Sequence, residues 1–560
     1  MQTVSERWKN AHKRTILRES FVEISLGIAD PESLADAKSR DNGAIYISNS
    51  ELLTDGVDNA PTPYCTLEQN LWCLDGNRKA IPESDYGDNC YVSDAMSDDT
   101  CVFSSKLPTI TINFSKTFTK LIPGITITWS NTYGEFADSF LVIAYQGDTV
   151  KAEKEVVDNK SVKTIIFTDI IDYDRIVVVI KKWCLPHHRA RVEEIYVGVD
   201  KTYRKADLFD YSHSQSADVS SLSLPKNEIK FSVSNITGEY NPYNTEGLSK
   251  YLMERQEVKA RYGMKMDDGS IEWIKGGTFY LSEWYAKQNG ITADFAARDL
   301  LEFMSATYHD SVYADITSGD MTTLPERNLY DLAEMVLTSA NLPVNSDGTV
   351  KWVIDESLRN ITTSAPLPED TLANCLQLIA NAGCCVLYQD RDGILHIEPF
   401  EIDMVIDVSD VPDYGITPFN SYTKSEITLS KPIEYIEAKY YTYSVDDKKA
   451  INSDSNIVTT GPWGDFVGET IVIDNPLVTD MLRAQNIIMW MYNNNLRFRK
   501  TLDSSWRADV RLDALDIVTN ANQYNTEHVL MTDVVYKYNG AFRATGKGKM
   551  LEGRMVKNNG

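Results

Sequence analysis

Apolar and polar residues alternate with a period of two over much of this chain, in short runs separated by turn residues. From Ile229 to Val233 the apolar positions are interleaved with Lys230 and Ser232, the pattern of a strand with one buried and one wet face. The run Ser234 to Thr245 (SNITGEYNPYNT) combines Asn, Gly and Pro and predicts an irregular turn region. Gln256 to Met266 alternates again, and Asp267-Asp268-Gly269 predicts a hairpin turn into Ile271 to Ile274. The pattern continues through Gly276-Gly277, Phe279 to Trp284, a turn at Asn289-Gly290 and Ile291 to Phe295. Ala297, Leu300, Leu301 and Met304 then fall at helical spacing, so this meander of strands is expected to end in a helix.

Residues 46–205 also read as strands, among them Ile110 to Phe114, Ile125 to Trp129, Phe140 to Tyr145, Val162 to Phe167, Ile176 to Ile180 and Arg191 to Val199. Their spacing is that of a β-sandwich. Upstream, Ser5 to Lys13 suits a short helix, and Phe21 to Leu26 is a lone alternating strand with no sheet of its own.

Beyond the meander the period changes to that of helices. Leu329, Leu332, Ala333, Val336, Leu337 and Ala340 mark one apolar face; Leu372, Cys375, Leu376, Ile379 and Ala380 mark another. The second helix has Asp370 or Thr371 as N-cap and Gly383 as the expected C′ residue, and leads into strands Cys384 to Tyr388 and Ile394 to Glu398 around Asp390-Arg391-Asp392-Gly393. From 401 the pattern returns to strands at Glu434 to Tyr443, Thr470 to Ile473, Ala514 to Val518, His528 to Tyr538 and Phe542 to Met550. A helix near 475–493 is expected between them, capped by Asp474 or Asn475, with Pro476 at N1 and Leu477, Met481, Ala484, Ile488 and Met491 as its stripe. The fold class is mainly β and multidomain, α+β overall.

Composition narrows this picture. With 42% apolar and 24% charged residues, the 560-residue chain has material for several cores, and a prior of ~100 to 200 residues per domain gives three to five of them. A formal charge of −26 argues against holding nucleic acid by phosphate neutralisation. Met1 to Ser20 is polar and basic, which predicts no secretory signal, and no apolar run approaches the ~18 residues of a membrane span. Synthesis in a cytoplasm is expected, and the eight cysteines fit free thiols, with Cys384 and Cys385 buried. Cys65, Cys73, Cys90 and Cys101 lie close enough in sequence to leave a disulfide reading open.

The phrases FSVSNITGEYNPYN, GLSKYLMERQEVKARYG, GGTFYLSEW and ARDLLEFM, in that order within Leu224 to Met304, resemble the hub domain of tail-tip and baseplate proteins of phages of Gram-positive bacteria. ILRESFVEISLGIADP resembles the usual opening segment, which implies that Phe21 to Leu26 pairs with the later meander and that the intervening residues are an insertion. Tyr64 to Asn77 and Ile125 to Tyr145 resemble a galactose-binding-like jelly roll of the kind inserted in such proteins. TLANCLQLIANAGCCVLYQDRDGILHIEP resembles the small α+β unit that follows the first hub domain, and WRADVRLDALDIVTN with MTDVVYKYNGAFRATGKG resembles a second hub β domain.

The expected division is therefore 1–45, the first strand of a hub domain; 46–205, the inserted sandwich; 206–324, the rest of that hub domain; 325–400, the small α+β domain; and 401–560, the second hub domain. The resemblance implies a structural ring at the distal tail end, a homotrimer with pseudo-sixfold symmetry. Its implied partners are the tail tube, the distal tail or baseplate proteins, the tape measure protein and host cell-wall glycan. Phage and tail-derived bacteriocin stay open as sources.

Sugar recognition uses aromatic faces and planar polar groups, and in the sandwich Trp129, Tyr133, Trp183, His187, His188 and Arg189 are the candidates. Core packing competes with that reading for Trp129, at a strand end, and for Trp183, before a Pro turn. A carbohydrate-binding adhesion module is the alternative function, and a glycosidase using Glu135 and Asp138 beside Trp129 is a second. No HExxH, GxSxG, P-loop or CxxC pair is present, so no catalytic residue is assigned. Cys184 with His187 and His188 lacks the second ligand pair of a zinc site, so no metal site and no cofactor are assigned. Ser97-Asp98-Asp99 and Asp55-Gly56-Val57-Asp58 have the carboxylates a calcium loop needs but not EF-hand spacing, and solvated surface is the plainer reading.

Overall fold

The computed structural model describes residues 2–14, 19–55, 62–73, 76–80, 91–287, 290–319, 322–345, 349–400, 415–429, 431, 433–446, 449–462, 468–495, 500–521, 524 and 526–551. Its organising element is a 13-stranded sheet built from segments far apart in sequence. The opening strand, Ser20–Ile28, runs antiparallel to Glu257–Lys265, with Val22 opposite Tyr262 and Leu26 opposite Val258. Its other edge pairs with Val199–Tyr203, Ile28 facing Val199. The lone strand at the start of the chain thus finds its sheet in the later meander.

From there the sheet continues through Ile271–Ala286, Thr292–Arg298, Lys226–Ser234 and Leu208–Ser216. The Asp-Gly turn closes as its residues require: Gly269 takes a φ of 87°, and the Met266 N–H donates to the Ser270 carbonyl. Gly276-Gly277 marks a shift of register against Ala260 and Arg261. At Gly277 φ is 135°, and a Cβ would stand 2.8 Å from the Phe279 ring. The expected helix after Phe295 is a short 3-10 turn, Leu300–Met304. Ala297 belongs to the preceding strand, because Leu300, Phe303 and Met304 reach the apolar core from a single turn.

Leu208–Ser216 then pairs antiparallel with Thr526–Tyr538, His213 facing Tyr536. This joint makes two β units one sheet, which ends in Phe542–Leu551, Lys500–Arg507 and Glu426–Leu429. Both units also share one core: Val22, Tyr262, Phe279 and Phe295 pack in the same cluster as Trp506, Leu512, Val518 and Phe542. At ~1.5 to 3 kcal/mol for each fully buried large apolar side chain, this shared core fixes the two units to each other.

The inserted residues form two facing sheets over a core of their own. One has the order Lys38–Asp41, Thr109–Phe118, Tyr173–Trp183, Ala137–Gln146, Thr149–Val156; the other is Glu194–Tyr196, Ile122–Thr128, Lys163–Ile170. Strand pairing carries the chain into this sandwich near residue 30 and out near 198, where the sequence pattern drew the limits at 46 and 205.

A third core gathers helices Leu329–Ser339 and Leu372–Gly383 with the small sheet Trp352–Ile354, Leu395–Pro399, Cys385–Gln389. Ile433–Asp446, Lys449–Thr460, Glu469–Ile473 and helix Met481–Asn495 belong to this cluster, with Ile436, Ala438, Ala484 and Ile488 buried among the residues of the other two helices. The Glu434 to Tyr443 strand therefore does not enter the large sheet. Two helix ends also differ from expectation. Cys384, with a φ of 57°, is the left-handed cap after Gly383, and the helix following Pro476 starts at Met481. Gly383 is the last helical residue, and Leu358 packs on it so closely that a Cβ there would lie 2.3 Å from the leucine's methyl.

Candidate functional site

The sandwich candidates divide between core and surface. Trp129 and Trp183 are fully buried and meet edge to face at 6.1 Å, with Trp129 also against Phe140. Their polar edges are satisfied inside, Nε1 of Trp129 donating to Thr164 Oγ1 and Nε1 of Trp183 to Glu135 Oε2, each at 2.9 Å. Neither ring offers a face to solvent. His188 is buried and contacts Glu135 through Nδ1 at 3.0 Å, while exposed His187 turns away to Asp99. Arg189 donates to the carbonyls of Ser93 and Asp94, and half-buried Tyr133 lies beneath the guanidinium groups of Arg191 (4.9 Å) and Arg78 (5.4 Å).

Glu68 organises this end of the sandwich, and sequence pattern offered no sign of it. It sits on the segment 62–73, yet is buried. Arg191 grips its carboxylate bidentately at 2.7 and 2.5 Å, the Arg189 N–H donates at 2.9 Å, and Thr66 donates as well. Burial alone would raise the Glu68 carboxyl, but the hydrogen bonds and charge of Arg191 outweigh it and hold the group below its ordinary range. The segment is therefore a strap pinned by a buried ion pair, and it carries exposed Leu67 and Trp72 on its outer side, with exposed Tyr46 nearby in the chain that lines the same end. Glu68→Ala is expected to leave Arg191 buried without its partner and to cost about 3 kcal/mol. Limited proteolysis would read this as faster cutting within 62–73, with the 13-stranded sheet unaffected.

The glycosidase pair is engaged rather than free: Glu135 is closed in by Trp183, His188 and Arg191, and Asp138 pairs with Lys182 at 2.9 Å. Asp98 Oδ1 accepts from Thr100 and Val102 and staples its own loop. Residues 56–58 of the other acidic loop and Cys90 lie outside the described residues, as does Asn289 of the expected turn. The described cysteines are free thiols, and among the described residues no group of three His, Cys, Asp or Glu side chains is placed to hold a metal ion. No helix among them is long and apolar enough to cross a membrane.

The second polar cluster lies at the joint of the two β units. His213 is fully buried there, its Nε2 2.8 Å from Asn227 Oδ1 and its Nδ1 2.8 Å from the Tyr262 hydroxyl, which is 2.7 Å from that of Tyr211. A neutral ring satisfies this chain of bonds, with Nε2–H donating to Asn227 and Nδ1 accepting from Tyr262. From the small α+β unit, the turn Asp390 to Gly393 pushes Arg391 into the joint. Its Nε donates to Asp513 (2.9 Å), Nη1 to the Lys275 carbonyl (2.8 Å) and Nη2 to the Leu512 carbonyl (3.2 Å). Asp513 accepts in addition from Gln2 and Gln215. Where the three parts meet they leave a cleft of about 340 Å³, lined by Gln215, Asn227, Asp299, Gln389, Arg391 and Asp513 among others.

Two buried groups at this cleft titrate with opposite consequences. Burial pushes His213 down to about 4, so its contribution to stability is complete above about 6.5 and is lost as pH falls through that window. Burial pushes Asp299 up to about 7; its contribution is present below about 3.8 and is lost as pH rises toward 7. Asp299 also caps the turn Leu300–Met304 by accepting from the Leu301 N–H, a role asparagine can fill. Asp299→Asn is therefore expected to stabilise the chain by about 2.5 kcal/mol more at pH 8 than at pH 5, read by denaturant melts at the two pH values.

No protein-family model matches this chain, and a search of curated proteins finds no match. Among solved structures it is similar in part to a tail protein from Neisseria meningitidis MC58, at 11% identity over 62% of this chain and 93% of the other, with a TM-score of 0.40. The 43 kDa tail protein of prophage MuSo2 from Shewanella oneidensis aligns at 12% identity over 62% of this chain and 95% of its own, TM-score 0.38. An E. coli type VI secretion component, described as similar to phage T4 tail proteins, aligns at 8% identity over 62% and 74%, TM-score 0.32.

Proposed function

We propose that this chain is a structural hub at the distal end of a phage or phage-like tail, where copies form a ring joining the tail tube to the tip or baseplate. The observation that carries the reading is the joint: two β units separated in the chain by helices Leu329–Ser339 and Leu372–Gly383 form one continuous sheet through Leu208–Ser216 and Thr526–Tyr538, over one core. Such a chain supplies two linked arc segments per copy, so three copies would present six to a tube. The four hub-like phrases fall in the strands and turns of the first arc, and the phrases of the second hub type fall in the other. Antibody labelling of intact particles, viewed by electron microscopy, tests the assignment. Label at the distal tail end is expected, and label on the capsid or along the tube would overturn it.

The inserted sandwich is, on this reading, a module for surface contact, with neighbouring tail proteins or host glycan as its target. Its strap end favours that role, because exposed Trp72 and Tyr46 offer the aromatic faces that Trp129 and Trp183 withhold. Binding of the full chain to a glycan array, lost in Trp72→Ala, is the expected result for the sugar contact; binding unchanged by that substitution would exclude this end.

A further inference from the structure

The strand Glu426–Leu429 ends the large sheet, and among the described residues it pairs on one side only, with Lys500–Arg507. Ile427 lies directly opposite Leu502, and opposed residues of an antiparallel pair point to the same face of the sheet. On that face Leu502 and Trp506 are fully buried. Ile427 and Leu429 continue the same core-facing row, yet they are 48% and 70% exposed. The core thus runs out one strand before the sheet does. The residues leading into this strand also follow the edge, the Tyr422 N–H donating to Ser505 and the Arg507 N–H to Asn420. They carry Phe419 at 98% exposure.

An uncovered apolar edge is a template for strand addition, and proteins usually blunt such edges with charge. The sandwich does so: its edge strand Thr149–Val156 carries Lys151, Glu153, Lys154 and Glu155. Glu426–Leu429 is not blunted in that way. Its surroundings are nevertheless net basic, with exposed Lys424, Lys431, Arg543 and Lys547 set against Glu426, Asp503 and Glu469, the last paired with Lys431 at 3.7 Å, on a chain whose net charge is −26. Two such edges brought together across a twofold axis repel each other. One edge set against the acidic remainder of another copy is attracted. That difference selects a head-to-tail contact, the kind that closes rings.

Resting on the hub reading above, we propose that Glu426–Leu429 is the seam between copies. It adds as a strand to a second copy of this chain, and Ile427 and Leu429 complete a core that neither copy completes alone. The test is native mass spectrometry and sedimentation of the full chain, wild type against the double variant Ile427→Lys, Leu429→Lys. Wild type is expected to form a closed assembly whose dissociation constant rises with salt. The double variant should dissociate at least a hundredfold more readily and, at concentrations low enough for wild type to be monomeric too, keep the same thermal transition, since Ile427 is half exposed and Leu429 mostly so. Cross-linking from Leu429→Cys with a thiol-to-amine reagent, compared with wild type, reads the same contact without adding charge and is expected to join two copies, whereas a head-to-tail contact sets the two introduced thiols apart and forms no disulfide between them. If the double variant assembles like wild type and Leu429→Cys joins nothing, the seam is overturned while the hub reading stands. A wild-type chain that stays monomeric at every concentration, with and without tail-tube protein, overturns both. A wild-type chain that uses this edge only for a different protein overturns the second-copy assignment.

Discussion

Arg391→Ala is expected to lower the stability of the chain by about 3 to 5 kcal/mol. The guanidinium is buried and spans all three parts that meet at the joint: it leaves the small α+β unit, bonds Lys275 of the first β unit and bonds Leu512 and Asp513 of the second. Its removal strips Asp513 of the countercharge that outweighs burial and holds that carboxyl below the ordinary range. It also takes the guanidinium donor from the Lys275 carbonyl and one of two donors from the Leu512 carbonyl, which keeps the Tyr536 hydroxyl at 2.6 Å. Arg391→Lys keeps the charge but cannot reach three acceptors from one planar fork, so an intermediate loss is expected. Denaturant unfolding followed by tryptophan fluorescence checks both. A change below about 0.5 kcal/mol for the alanine variant would mean that the turn rests on the joint without locking it.

The second large effect concerns the insertion. Because Ile28 faces Val199 in register, the two chain crossings into the sandwich lie side by side at the end of a two-stranded ladder. Replacing residues 29–198 with Asn-Gly would close that ladder as an ordinary two-residue hairpin. The shortened chain is expected to fold with the hub sheet and its cooperative melt retained, while every contact made through the sandwich is lost. Some stability should go with it, since Asp169 bonds Tyr251 and Lys163 pairs with Asp200 across the boundary. Exposed pairs of that kind are worth only about 0.2 to 1 kcal/mol each. Circular dichroism and a thermal melt of the shortened chain decide the matter: an insoluble or molten product would show that the sandwich is part of the hub's core.

Local structure was legible in the sequence wherever one face of an element is buried. Ile229 to Val233 lies within Lys226–Ser234 with Ile229, Phe231 and Val233 inside, and helix Leu372–Gly383 starts at the Thr371 cap, whose side chain accepts from the Asn374 N–H. Neighbour choice was not legible from alternation. A period of two says which side chains point inward, not which strand lies alongside. Hence Phe21 to Leu26 could be assigned to the meander only through family resemblance, and alternation within Glu434 to Tyr443 did not say that it pairs with Lys449–Thr460 and Glu469–Ile473. Side chains that act at a distance were hidden for a related reason. Arg391 stands in a turn sequence, Asp-Arg-Asp-Gly, that reads as solvated surface, and Glu68 in a segment without periodicity, yet each is buried by partners over a hundred residues away. Trp129 and Trp183 illustrate the converse, since a strand-end tryptophan is equally compatible with a sugar platform and a core.

On the proposed function, one chain contributes two linked β units to a single ring about the tail axis. A cryo-electron-microscopy reconstruction of the particle's distal tail tests it most directly. The first and second β units are expected to alternate around the lumen, six to a ring, with the sandwich on the outside. Density that seats only one of the two units against the lumen, or places the whole chain off the axis, would contradict it.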